Sequence, residues 1–194
     1  MKQIHLGLLA SGTGSNVKVL HNYFSNHPSI KVSLLITNRV CGANDIAEEA
    51  GIETMIFSNN LWLDGREINT LLSTKKIDFL VLAGFLRKIP AIILHTFPNR
   101  IINLHPSLLP KFGGEGMYGK YVHNEVIKSN EKKSGISVHL VSDNYDEGQL
   151  LEQVSYELVE NETAESLGKA IQKLEHENYP RIIEQFISTK LQHN

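Results

Sequence analysis

Asn103 and His105 stand two residues apart in the run Ile101-Ile102-Asn103-Leu104-His105-Pro106-Ser107-Leu108-Leu109-Pro110. Alternate residues of an extended segment share a face, so the amide and the imidazole point the same way. Pro106 biases His105 away from helical angles and keeps the pair parallel at the end of a short apolar run. An amide donor and an imidazole aimed at one point suit a developing oxyanion. A carboxylate must then hold the imidazolium, and Asp143-Asn144-Tyr145-Asp146-Glu147-Gly148 offers several. Asp146 adjoins the Glu-Gly turn into the next apolar run, where a side chain can point inward. A carboxylate beside His105 raises its pKa and makes it a better proton donor near neutrality. Clustered carboxylates are ordinarily a solvated loop, and a lone histidine is ordinarily a hydrogen-bonded core residue. Taken together, these residues read as acyl-group chemistry without a covalent nucleophile. Ser107 has no G-x-S-x-G elbow around it and reads as structural.

A second constellation is Ser11-Gly12-Thr13-Gly14-Ser15-Asn16, which follows an apolar run and opens a helical one. Backbone N–H groups and the helix dipole there face one small volume, which favours an anion. A dinucleotide fingerprint wants a third glycine where Val17 stands and an acidic residue where Thr37-Asn38-Arg39 stands. Both are absent, which points to a single phosphate rather than NAD; the competing reading is a tight turn capped by Ser15 or Asn16. Glu175 lies one turn after Ile171 on a core-facing stripe and needs a cationic or donor partner unless it sits at a wet rim. A substrate amine or hydroxyl supplies such a partner. Arg66 and Arg87 suit carboxylates or plain surface charge. Lys111 to Gly119 carries four glycines and reads as a mobile lid.

The elements that position these groups follow from periodicity. Ile4 to Ala10, Val32 to Ile36, Phe79 to Ala83 and Ile101 to Leu104 are apolar runs of the kind that form buried parallel strands. Val17 to Phe24, Asn44 to Ala50 and Gly65 to Leu72 carry apolar residues at helical spacing between them. Gly135 to Val141 and Leu150 to Leu158 alternate and flank a polar turn, which predicts a late antiparallel pair. Ala164, Leu167, Ala170, Ile171 and Leu174 make one helical stripe, and Pro180 predicts a kink or restart before Ile182, Ile183 and Phe186. The expected fold class is α/β: an open, mostly parallel Rossmann-like sheet with helices on both faces and a late antiparallel edge.

At 194 residues with 41% hydrophobic content, the chain is expected to form one domain over 1–194. A net charge of -2 supplies no basic field, so no nucleic-acid partner is expected. No apolar stretch is long enough to span a bilayer, and no leader pattern opens the chain, so a soluble, cytoplasmic protein without a membrane partner is expected. Cys41 is the sole cysteine, which excludes an intrachain disulfide. Among nine histidines there is no H-x-x-x-H pair or Cys/His cluster, and no metal is expected. Small-molecule substrates remain as the expected partners.

Ser-Gly-Thr-Gly-Ser-Asn at 11–16, Val-Leu-Ala-Gly-Phe-Leu-Arg at 81–87, Ile-Asn-Leu-His-Pro-Ser-Leu-Leu-Pro at 102–110, Ser-Val-His-Leu-Val at 137–141 and Glu-His at 175–176 resemble the phosphoribosylglycinamide formyltransferase family over nearly the whole chain. The resemblance implies transfer of a formyl group from 10-formyltetrahydrofolate, as co-substrate and without metal, to the amine of glycinamide ribonucleotide in purine synthesis. It puts Asn103, His105 and Asp146 on catalytic positions, Gly14, Ser15 and Asn16 on the phosphate site, and Glu175 on a ribose and amine contact. It puts Arg66, Leu86, Arg87, Lys88, Ile89, Asn103, Ser142, Asp143, Asn144, Tyr145 and Asp146 on the folate site, in a monomer or homodimer. The chain has Gly113-Gly114 where members commonly carry Pro-Gly, and Gln149 where proline often follows the Asp-x-Gly turn. Two enzymes related by the same motif are the alternatives. A formyltetrahydrofolate hydrolase is expected to read His-His-Ser at 105–107 and to carry an N-terminal regulatory domain; a methionyl-tRNA formyltransferase is expected to add a basic C-terminal domain. A non-catalytic nucleotide- or folate-binding module on the same scaffold is a third alternative.

Overall fold

The computed structural model describes residues 3–192, and the chain falls into two compact units, Met1–Asn103 and Leu104–Asn194. The first unit alternates strand and helix: β1 (Ile4–Ala10), α1 (Ser15–Phe24), β2 (Ile30–Thr37), α2 (Gly42–Glu49), β3 (Thr54–Ile56), α3 (Asn59–Asp64), α4 (Arg66–Thr74), β4 (Phe79–Leu82), α5 (Ala91–Thr96) and the start of β5 (Ile101–His105). The β1–β2, β1–β4, β2–β3 and β4–β5 pairs are all parallel. Leu6, Leu8, Leu34, Ile36, Leu80, Val81 and Ile102 are fully buried, which is why these strands read as continuous apolar runs rather than alternating ones.

The second unit holds α6 (Lys120–Lys128), the antiparallel pair β6 (Lys133–Leu140) and β7 (Leu150–Glu157), and α7 (Ala164–Gln192). Val122 and Val126 of α6, Ile136 of β6 and Leu167 and Ile171 of α7 form its core, with Phe112, Met117 and Leu174 against them. Strand order is β3-β2-β1-β4-β5-β6-β7, a mostly parallel sheet with an antiparallel edge, as the periodicity predicts.

Four elements escape the sequence reading. β3 is three half-wet residues, and α3 and α5 have six residues each, too short for a helical period to register. α6 follows directly on the glycine-rich segment, which masks its Val122/Val126 stripe. The restart predicted at Pro180 is absent: α7 is continuous from Ala164 to Gln192. Proline removes one N–H and crowds the preceding turn. Buried Leu167, Ile171 and Tyr179 before it and Ile182, Ile183 and Ile187 after it hold both halves of the helix down. The start of α7 is capped reciprocally, with Thr163 Oγ1 accepting from the Ser166 amide at 3.1 Å and Ser166 Oγ from the Thr163 amide at 3.0 Å.

Candidate active site

His105 closes β5 and is 3% exposed. Its Nε2 lies 2.7 Å from the Phe112 carbonyl oxygen. A carbonyl only accepts, so this nitrogen carries the proton and the tautomer is set by the backbone of the following loop. Nδ1 of the same ring faces Asp146 Oδ2 at 3.4 Å. The carboxylate is held from further directions: the Gly114 amide donates to Oδ2 at 3.0 Å, and His139 Nε2 lies 3.4 Å from Oδ1. The Asp146 side chain is 9% exposed although Asp143, Asn144, Tyr145 and Glu147 around it are solvated. A positive φ of 56° at Asp146 turns it inward while its neighbours stay outside. The inward aim expected of Asp146 is therefore present, in a conformation that aspartate tolerates better than most residues.

The loop that presents the Phe112 carbonyl is stapled to β6 and β7. Ser137 Oγ donates to the Ser107 carbonyl at 2.7 Å and accepts from the Leu109 amide at 2.9 Å. Gln153 Nε2 reaches both Ser137 Oγ (2.8 Å) and the Leu109 carbonyl (2.9 Å). Ser107 donates to the Lys111 carbonyl at 2.8 Å, the structural role expected of it. The segment read from sequence as a lid thus touches the site with its first half, through Phe112 and Gly114. His139 and Ser137 make contacts at the site that the sequence alone did not single out; the signal was their alternation along a strand ending beside the acidic turn.

One expectation is reversed. A carboxylate beside His105 was expected to raise its pKa, but burial outweighs Asp146 and the Phe112 carbonyl and leaves His105 below its ordinary 6.5. The resting ring is a neutral Nε2–H donor rather than an imidazolium. Asp146 goes the other way for a carboxyl in a buried place: burial raises it, yet the His139 hydrogen bond, His105 and the Gly114 amide together hold it below the ordinary value. His123 on α6, with Nδ1 buried and without a hydrogen-bond partner, is also lowered, by burial and then by His105, and His176 by burial.

These directions give a pH dependence of stability. A histidine whose folded pKa is depressed binds protons less readily than in the unfolded chain, so its contribution is complete above about 6.5 and is lost as pH falls from there toward the folded value. Asp146 adds a loss in the same direction at lower pH. Thermal melts are therefore expected to show a midpoint that is level above about pH 6.5 and falls from there to pH 5, with a shallower slope in His123→Leu. A flat profile over that range contradicts the assignment.

In the first unit, Gly14 caps α1 with φ 82°, and no side chain caps that helix, so the competing reading of a turn capped by Ser15 or Asn16 is not what the structure shows. A Cβ on Gly14 would come within 2.6 Å of Ala43 Cα, which makes glycine obligatory there. The loop is fixed by Ala43 N to Gly12 O (3.1 Å), by Ser11 N to Gly84 O (3.1 Å) and by Arg39, whose Nε and Nη2 donate to the Ser11 carbonyl at 3.2 and 2.9 Å. Arg39, noted in sequence only for not being acidic, thus adds positive potential to a helix N-terminus. Leu86, Arg87 and Lys88 are exposed, whereas Ile89 is 3% exposed and belongs to the core. Arg66 is exposed and paired with Asp64 at 2.6 Å. Glu175 is half-buried beside Tyr179, whose hydroxyl is pushed up by burial and by that carboxylate. Cys41 is a half-buried thiol at the start of α2, where its amide donates to Asn44 Oδ1 at 2.9 Å. Among the described residues no set of three or more His, Cys, Asp or Glu side chains is arranged for a metal ion, and no helix is long and apolar enough to cross a membrane.

Comparison with known proteins matches the formyl transferase family over residues 5–183. The chloroplastic phosphoribosylglycinamide formyltransferase of Arabidopsis thaliana is 36% identical over 185 residues, covering 92% of this chain and 63% of that protein. Its counterpart in Vigna unguiculata is 36% identical over 186 residues, covering 92% and 59%. The chain thus spans about six-tenths of the length of these curated relatives. The crystal structure of phosphoribosylglycinamide formyltransferase from Anaplasma phagocytophilum superposes with a TM-score of 0.88 at 32% identity, covering 97% of this chain and 89% of that one. A match over nearly the full sequence, on this fold and around this buried histidine and carboxylate, has one consequence: the chain belongs to the formyl transferase family.

Proposed function

We propose that residues 1–194 act as one formyltransferase domain that moves a formyl group from 10-formyltetrahydrofolate to the amine of glycinamide ribonucleotide in purine biosynthesis. The observation that carries this reading is the buried His105 with its Nε2–H set by a backbone carbonyl and Asp146 at its other nitrogen, while the neighbouring hydroxyl of Ser107 is engaged elsewhere. Such a site can stabilise an oxyanion but offers no acyl-accepting serine. The half-buried free thiol of Cys41 suits a reducing compartment, the cytoplasm.

The substrate amine attacks the formyl carbon, forming a C–N bond as the carbonyl becomes an oxyanion. Asn103 and His105 Nε2–H donate to that oxygen, which takes over the hydrogen bond now made to the Phe112 carbonyl. Asp146 faces Nδ1 and stabilises any positive charge the ring acquires. The bond from the formyl carbon to the folate nitrogen then breaks, and the amine proton passes through water to that nitrogen. Gly14, Ser15 and Asn16 bind the phosphate, Glu175 the ribose and amine, and Arg66, Leu86, Arg87, Lys88, Ile89 and the 142–146 loop the folate. A neutral imidazole acting as electrophile is well suited to this work, because it donates without taking up a proton beforehand.

The test is to mix the formyl donor with the ribonucleotide and follow deformylated folate, with an arm lacking the amine. Product that depends on the amine is expected; equal product without it identifies a hydrolase, and none at all a binding module. Asn103→Ala is expected to lower kcat by on the order of a hundredfold to a thousandfold while ribonucleotide binding by calorimetry persists. Normal turnover by that variant removes Asn103 from the mechanism.

A further inference from the structure

The ring of His139 is 2% exposed, and both its nitrogens are spoken for. Nδ1 lies 2.9 Å from the Leu140 carbonyl, which can only accept, so Nδ1 carries a proton. Nε2 lies 3.4 Å from Asp146 Oδ1. His105 is arranged in the same way, with Nε2–H on Phe112 and Nδ1 toward Oδ2, but burial disfavours its charged form. Asp146 therefore sits between two histidines that each meet a backbone carbonyl at the far nitrogen, and His139 faces the carboxylate oxygen that His105 does not.

We propose that His139 is a positioning residue of formyl transfer: it holds Asp146 at Oδ1 while His105 faces Oδ2, keeping the carboxylate aimed until charge develops on the catalytic ring. β6 and β7 pair at His139↔Leu150, just past a break in register between Val138 and His139, and the Leu140 amide donates to the Gln149 carbonyl at 2.8 Å, which ties the strand beside the ring to the turn that carries Asp146. The other titratable group that interacts with it is His105 from β5, and His105 in turn acts on His123 of α6. Asp143 and Glu147 on the Asp146 loop are exposed, and Glu147 accepts from Asn144 at 2.7 Å. With His139 removed, Asp146 keeps the Gly114 amide and His105 but loses the bond that does most to lower its pKa.

The inference rests on the formyl-transfer reading, and two measurements separate them. In His139→Leu, kcat is expected to fall about a hundredfold, the low end of what a positioned proton-transfer group contributes, with both KM values within about twofold. The acid limb of its pH–kcat profile should move to higher pH, because a less supported carboxylate protonates earlier. His139→Gln, whose amide can donate to the same oxygen, should recover most of the rate and of the acid limb. A purely packing role predicts equal damage in both variants and an unmoved acid limb, and that result overturns the proposal. Carbon-13 titration of the Asp146 carboxyl gives a readout independent of turnover: its midpoint should rise in His139→Leu, and an unchanged midpoint also overturns it. If the unaltered protein makes no amine-dependent product, the formyl-transfer reading fails while the carboxyl titration still decides whether His139 holds Asp146.

Discussion

His105→Ala is expected to lower kcat for formyl transfer by at least two to three orders of magnitude, the effect of removing an oxyanion donor, with ribonucleotide affinity changed little. The size follows from how completely the ring is preorganised. Its tautomer is chosen by the Phe112 carbonyl, its burial keeps it neutral, and Asp146 waits at Nδ1. The proton is already on Nε2 when charge appears on the substrate oxygen, and it has only to exchange the Phe112 carbonyl for that oxygen. The residues proposed to bind the phosphate belong to the other compact unit, so nucleotide affinity is a fair control. The substitution also leaves the Phe112 carbonyl without its ring donor, which costs on the order of 1–3 kcal/mol. Circular dichroism and a melting curve must accompany the kinetics. His105→Gln, which can still donate to that carbonyl, should melt closer to the unaltered protein and yet stay slow, because the amide cannot take up charge opposite Asp146. Turnover within tenfold of normal in a folded His105→Ala protein rules out the proposed role.

The parallel strands were legible because burial on both faces writes itself as unbroken apolar runs, and β1 is found at Ile4–Ala10 as expected. The late antiparallel pair was legible for the opposite reason: β7 alternates because one of its faces is wet. The Asn103/His105 spacing and the inward turn at Asp146 could be read from strand alternation and turn chemistry, with the family resemblance singling out Asp146. The charge state of His105 could not. A sequence shows which charges lie near a group along the chain but not how dry its surroundings are, and here dryness wins. His139 was hidden by its ordinariness: a polar residue in a buried strand looks like a satisfied core histidine, and only the fold shows the carboxylate in front of it. Arg39 was hidden likewise, since its target is a backbone carbonyl that has no signature in sequence.

Gly148→Ala is expected to damage folding and catalysis together. A Cβ at this position would overlap the Leu140 carbonyl oxygen, approach the Leu140 carbonyl carbon to 2.8 Å and crowd the Ser142 amide at 3.4 Å. All of these are backbone or backbone-paired atoms that cannot swing aside like the end of a flexible side chain. That carbonyl oxygen is the one that holds His139 Nδ1, and Gly148 stands two residues after Asp146. Relieving the overlap must therefore move the turn away from β6, the His139 bond, or both. Overpacking of this kind costs about 3 kcal/mol at the upper end of its usual range. For a domain of this size that lowers Tm by roughly 6 to 12 °C. Gly12→Ala, where nothing lies within 4 Å of the added carbon, is the control for stability and should melt within about 2 °C of the unaltered protein. The kinetic signature separates a displaced site from a partly unfolded sample. At a temperature well below both transitions, kcat per folded molecule should still be reduced, with the acid limb of the pH profile shifted upward as Asp146 loses its clamp. A Gly148→Ala protein that melts normally and works normally would mean that the turn can yield without disturbing Asp146, and the rigid coupling of Gly148, Leu140 and His139 would be wrong.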